Sequence, residues 1–334
     1  MTLGTPRGVG LVTRQEFRIR LRTGRWRWLL GAWVLVLAAF TMLLDLSLDT
    51  GYGIDRNTAQ RGVPLFGILM FFVLFMVLVI SPALTSQVIN GDRERGTLAT
   101  LQVTRLRPLE IALGKLVAGW GVGLVALALT LPFAGWAMAS GGITIGRVAA
   151  VYGVVAVLIG VVCAVSQALS ALLARSITSA LLSYLVVAAL TVGTLIAFAL
   201  ITPLVTSPRT TPNPDGSTYT YDEVRPDLTW WLIAPNPFVV LADSAPRVPP
   251  RVTAFGDEVY VQDYDPLSSI GRAVRDLRRP RDYVYTSENE RELGPAVWPY
   301  GLAFNVLLGV GAVWVTALRL RTPARRIPRG VRIA

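Results

Sequence analysis

An all-α polytopic membrane protein with six transmembrane helices is the fold class this sequence predicts, and three observations predict it. Of 334 residues, 53% are hydrophobic and 16% charged, whereas soluble domains carry roughly 25% charged residues. The mean hydropathy is +0.52. Apolar residues gather in runs of about 20 or more, enough to cross a hydrocarbon core of roughly 30 Å as helices. The net charge of +11 sits at the ends of those runs. That placement is a topology signal and not a nucleic-acid footprint.

Residues 1–27 hold Arg7, Arg14, Arg18, Arg20, Arg22, Arg25 and Arg27, with Val12, Phe17, Leu21 and Trp28 as a partial apolar face. The pattern predicts a basic amphipathic helix on an anionic inner leaflet. The apolar run then continues to Leu44 with no small-residue cleavage site, so a span and not a cleaved leader is expected. Span 1 covers about Trp28 to Leu46, with Asp45 at its outer end. Asp49, Asp55, Arg56 and Arg61 follow in a loop. Span 2 runs from Pro64 to Thr85, and Ser81-Pro82 predicts a kink near its inner end.

Span 3 covers Leu116 to Met138. Its Gly119 and Gly123 form a small-xxx-small pair, and Gly141-Gly142 marks the outer turn. Span 4, about Val148 to Leu173, carries Ser166, Gln167 and Ser170, which are expected to bond to neighbouring helices because lipid offers no partner. Arg175-Ser176 makes an inner turn. Span 5 covers about Ile177 to Val205, which completes spans 1–5 within residues 28–205. Span 6 runs from about Ala296 to Leu318 and is pinned inside by Arg319, Arg321, Arg325, Arg326, Arg329 and Arg332 of the tail, residues 319–334. All the short Arg-rich segments fall on one side, so both termini are expected in the cytoplasm.

Residues 206–295 form a large extracellular loop between spans 5 and 6. Its Arg272, Arg275, Arg278, Arg279 and Arg281 do not oppose this, because the positive-inside bias acts on short loops. Thr206 to Asp227 reads as irregular. Trp230-Trp231-Leu232-Ile233 and Phe238-Val239-Val240-Leu241, broken by Pro235 and Pro237, read as interfacial segments dipping into the outer leaflet. Asp257, Glu258, Asp263 and Asp265 lack the spacing of a calcium loop and read as solvated acids.

Several chemistries drop out. There is no His and one Cys, which removes imidazole bases, His metal sites and disulfides. Cys163 lies in an apolar span and is a packing residue. No phosphate-binding glycine loop is present, so the chain itself is expected to hold no ATP and no other cofactor. The inner parts of spans 2 to 6 contain no Asp, Glu, Lys or Arg, which argues against a proton relay or carboxylate-based sodium coupling. Work for transport must enter from elsewhere.

The entry point is the run Asn90 to Gly119, which overlaps a cytoplasmic coupling loop of residues 86–115. Asp92-Arg93-Glu94-Arg95 extends a helix into water. Gly96 can end it in the left-handed conformation. Thr97 suits the N-cap of a short amphipathic helix with Leu98 and Leu101 on one face. Pro108 suits the first turn of the next helix, Glu110 sits at its positive end, and Lys115 marks where it enters the bilayer.

Glu94-Arg95-Gly96-Thr97-Leu98, then Leu101, Thr104, Glu110-Ile111 and Gly114-Lys115-Leu116, resembles the signature of type 2 ATP-binding-cassette (ABC) exporter permeases. It departs from that signature at Arg105, where Pro is usual, and at Arg107, where Ser often caps the next helix. The resemblance implies that Thr97 to Val103 is a coupling helix held in a groove of a separate ATPase subunit, and that residues 1–27 are the connecting helix. Leu98 and Leu101 would fill the groove. Arg93, Glu94 and Arg95 would set pairing and register, and Gly96, Thr97, Glu110 and Lys115 complete the partner-binding set. It further implies ATP and Mg on the ATPase, a second permease copy or paralogue, and residence in the cell membrane. An alternative of another class is a membrane-anchored sensor or scaffold whose outer loop binds a ligand. Co-purification of an ATPase separates the two.

Overall fold

The computed structural model describes residues 6–22, 25–50, 61–98, 106–213, 215, 217–246, 248, 251–252, 258–259, 265–279 and 294–321. Leu101 and the rest of 99–105, Asp257, Asp263 and tail residues 322–334 lie outside them. Six helical runs are long and apolar enough to cross a membrane: Trp28–Asp49, Gly62–Glu94, Pro108–Ala139, Ile145–Leu172, Ser176–Leu204 and Trp298–Arg319. Six such runs agree with the six spans expected, though the second runs on to Glu94 and the third begins at Pro108.

The chain divides into two compact units, one of Met1–Val187 with Asn305–Ala334 and one of Ala188–Phe304. In the first, α1 (Pro6–Arg22) is followed by α2 (Arg25–Thr50), α3 (Gly62–Thr85), α4 (Asn90–Glu94), α5 (Pro108–Ala128), α6 (Leu131–Ala139), α7 (Ile145–Leu172) and α8 (Ser176–Ala188). Helix α3 is central, packed on α5, α6 and α7, and Leu65, Phe66, Leu69, Met70, Val73 and Leu74 are fully buried along it. The third span is two helices. Its ladder breaks at Leu129–Thr130, because Pro132 has no N–H to continue it.

Polar groups on these apolar helices are bonded across helices, as lipid demands. Trp33 Nε1 donates to Ala126 O at 3.0 Å, Trp120 Nε1 to Ala156 O at 2.8 Å and Gln167 Nε2 to Ala112 O at 2.8 Å. Ser170 Oγ accepts from Ile89 N and Asn90 N, both at 3.1 Å. The interhelical role expected for Gln167 and Ser170 is thus the observed one. At the C-terminal end of α2, Arg61 pairs with Asp45 and Asp49. Gly141 and Gly142 make the turn between α6 and α7 at φ 91° and 84°.

The second unit opens with a π-helical segment, Ala189–Gly193, and continues as α9 (Thr194–Ile201). The stretch expected to be irregular is a β-hairpin: β1 (Thr206–Pro212) pairs antiparallel with β2 (Thr218–Val224) in the register Thr206↔Val224 to Pro212↔Thr218. Alternating Thr and Tyr at 218–221 favours a pleated strand. The prolines are tolerated because both strands are edges. Arg209 pairs with Glu223 at 2.6 Å across it. After α10 (Pro237–Ser244) comes a short pair, β3 (Arg251–Val252) and β4 (Glu258–Val259), then α11 (Pro266–Asp276) and α12 (Trp298–Arg319).

Two of the acidic residues in this unit have structural roles. Asp265 caps α11, accepting from Leu267 N and Ser268 N. Asp243, on α10, is buried and accepts from Arg275 Nε, from Val297 N at 2.7 Å and from Trp298 N at 2.6 Å. One carboxylate thus joins α10, α11 and the start of α12.

Candidate functional site

The candidate site is the loop between α3 and α5 together with α1. Proline at 82 weakens the end of α3, which stops at Thr85. Two turns follow, and α4 begins at Asn90. Gly96 then reverses the chain at φ 71°, the left-handed conformation expected of it. Thr97 Oγ1 donates to Asp92 O at 3.3 Å, tying the residue after the reversal back to α4. At the far side, Pro108 occupies the first turn of α5, and Glu110 Oε2 accepts from Arg107 N at 2.9 Å. Glu110 thus satisfies the backbone donor at a helix start that lacks the usual Ser.

A buried ion cluster fixes the loop to α1. The ammonium of Lys115, 1% exposed, pairs with Glu16 of α1 and Asp92 of α4. Arg95, on the solvent side, pairs with Asp92 at 3.0 Å. An isolated buried ammonium would be strongly unfavourable, and two carboxylates offset that desolvation. Lysine suits the position because its charge is compact, while a guanidinium spreads over a wider plane. It is the only lysine among 32 basic residues. Helix α1 approaches α5 closely at Gly114, where an added Cβ would run into Val12. Thr13 Oγ1 donates to Gly114 O at 3.1 Å beside it.

The loop is also fastened to the ends of α7 and α8. Besides the Ser170 bonds, Ser179 Oγ donates to Ser86 O at 2.8 Å, Ser176 Oγ donates to Glu94 Oε1 at 2.6 Å and Arg93 Nη1 donates to Leu173 O at 3.3 Å. Under it lies a cluster of Ile89, Leu98, Ile111, Ala112, Ala171, Ala317 and Leu320.

The residues expected to face a partner divide into buried and exposed ones. Leu98 was expected on an exposed apolar ridge. It is 4% exposed and packs in the chain's own cluster, because Gly96 turns the chain back over α5. Glu110 and Lys115 are buried as well, as a helix cap and as the centre of the ion cluster. Glu94, Arg95, Gly96 and Thr97 are exposed and contiguous, and Arg93 is half-buried beside them. Leu101 lies outside the described residues. Glu16, Ser170, Ser176 and Ser179 were not singled out for the loop, and Asp92, expected on a helix extended into water, is buried against Lys115. A signal for one pair was present, since Glu16 is the only acid before Asp45 and Lys115 the only lysine.

A family model described as ABC-2 family transporter protein matches residues 48–318. That range contains the loop and all but the first of the apolar runs, while α1 and Glu16 precede it. No curated protein matches the chain.

Proposed function

This chain belongs to the ABC-2 family of transporter proteins and is a multi-pass membrane permease; from that premise we propose that it serves an exporter, driven by a separate ATPase subunit docked on the loop between α3 and α5. In this reading ATP and Mg belong to the ATPase, and a second permease copy or a paralogue completes the complex. The loop and both termini face the cytoplasm, and the complex resides in the cell membrane.

The observation that carries the reading is the fastening of the loop. Its exposed rim, Glu94 to Thr97, is a few residues wide. Among the described residues behind that rim, Ser86, Ile89, Asn90 and Asp92 are bonded to α8, α7 and α5, and Lys115 carries the Asp92 contact on to Glu16 of α1. A load applied to the rim is therefore shared among helices and not absorbed by a slack linker. ATP-driven closure of the ATPases would shift the permease between two states only if the ATPase binds the rim with different affinity in each. Charged rim residues suit register and partner choice.

The test is Glu94→Arg combined with Arg95→Glu, two exposed positions that also give up the Ser176 bond and the Asp92 pair. ATPase co-purification and transport into reconstituted vesicles are expected to fall about tenfold, a 1.4 kcal/mol change in binding, while Arg95→Gln, which loses the Asp92 pair without reversing the rim charge, separates loss of docking from loss of permease stability in the unfolding midpoint. Unaltered co-purification and transport would refute the docking assignment. A chain that never co-purifies with an ATPase would point to the sensor or scaffold reading.

A further inference from the structure

A second site lies within Ala188–Phe304, where the membrane helix changes its own winding. Residues Ala189–Gly193 form a π turn. Such turns are rare, leave backbone groups out of register and often mark functional positions. Asn236, 1% exposed, holds this one: its Nδ2 donates to Thr191 O at 2.7 Å and to Thr194 Oγ1 at 2.9 Å. Against the turn opens a cavity of about 640 Å³ whose lining includes Gly193, Thr194, Trp230, Trp231, Tyr300 and Phe304. Its size falls in the roughly 300–1,000 Å³ range of small-molecule sites. The wall on the helix is made of small residues and the facing wall is aromatic, a combination that takes an apolar body. The Thr194 hydroxyl does not turn it polar, since it is spent on Leu190 O, Thr191 O and Asn236.

A charge stands against two residues of this lining. The guanidinium of Arg278 lies 4.4 Å from the ring centroid of Trp230 and 4.9 Å from that of Tyr300, two of the lining residues. It also donates to Ala296 O. Its neighbours Arg275 and Arg279 each have an acid, Asp243 and Asp276. Among the described residues no carboxylate pairs with Arg278. A half-buried cation on two aromatic faces, with no counter-charge among the described residues, can accept an anionic group.

We propose that this unit binds an anionic amphiphile, with its apolar body in the cavity against Gly193 and the aromatic residues and its acidic head at Arg278. The inference concerns binding by this chain alone and does not depend on ATPase docking.

The test uses the purified full-length chain in a neutral detergent and two photoreactive diazirine-tailed probes, a phosphatidate and a phosphatidylcholine. Phosphatidate is expected to label peptides covering 189–197, 230–235 and 300–304 about tenfold more strongly than phosphatidylcholine. Arg278→Gln removes that preference, and Arg278→Lys keeps most of it. Ala197→Trp fills the cavity and abolishes labelling by both probes, with the unfolding midpoint as a check that the variant is folded. Equal labelling by the two probes, or a preference that survives Arg278→Gln in a folded chain, would overturn the proposal. Displacement of the phosphatidate probe by inorganic phosphate alone would also overturn it, by reducing the site to a bare anion contact. If Arg278→Gln fails to fold, Arg278→Lys and Ala197→Trp still decide. None of these outcomes bears on the exporter reading, which is tested at the loop.

Discussion

Replacing Lys115 by Met tests the buried clamp directly. The substitution keeps the length and apolar stem of the side chain and deletes only its charge. Glu16 and Asp92 then face each other with side chains 18% and 12% exposed and no ammonium between them. Breaking a buried pair by removing one partner costs about 3–5 kcal/mol, because the other charge stays behind. Arg95 still reaches Asp92 from the solvent side, which places the loss at the lower end, about 3 kcal/mol. That is on the order of a hundredfold in the folded-to-unfolded ratio. Denaturant unfolding of the purified permease in detergent measures it. A second variant, Lys115→Met with Glu16→Gln and Asp92→Asn, removes all three charges and is expected to recover most of the loss, since neutral replacement of a buried ion cluster is often tolerated. If Lys115→Met unfolds at the same denaturant concentration as the native chain, or if the triple variant is no better than the single one, the clamp does not hold the loop as described.

Other consequences are as concrete. Asp243→Asn weakens the contact with Arg275 and the anchoring of Val297 N and Trp298 N, and about 3 kcal/mol of local stability is expected to go; hydrogen exchange should quicken in α10, α11 and the start of α12 and stay unchanged in α3. Leu98→Ala leaves a hole in the cluster of Ile89, Ile111 and Leu320, and the permease alone, with no ATPase present, is expected to lose about 2–4 kcal/mol in denaturant unfolding. An effect seen only on ATPase binding would return Leu98 to the docking surface. Gly96→Val forces a β-branched residue to φ 71° and costs about 1–2 kcal/mol, read as a lower thermal midpoint, with Gly96→Asn less affected.

The spans were legible because apolar run length is a strong, local signal, and each predicted span overlaps a helix by most of its length. Gly96 and Pro108 were legible for the same reason: their backbone preferences act within one or two residues. What the sequence left unread is non-local. Leu98 looks like an exposed ridge residue in its own window. Its burial depends on Ala171 and Leu320, far along the chain. The hairpin at 206–224 was obscured by its prolines, which argue against a central strand but not against an edge. The tie between Asp243 and Val297 crosses 54 residues, and no local pattern announces it. The pairing of Glu16 with Lys115 was readable in principle, as two solitary residues of opposite sign, but only a fold brings 99 intervening positions into register.

The solitary lysine has a practical consequence. With Lys115 at 1% exposure, the folded chain offers amine-reactive reagents no accessible lysine side chain. Acylation at position 115 then becomes a native reporter, silent while the cluster with Glu16 and Asp92 is closed and rising when α1 lifts from α5. A reagent added during ATP turnover would time that separation with no engineered probe.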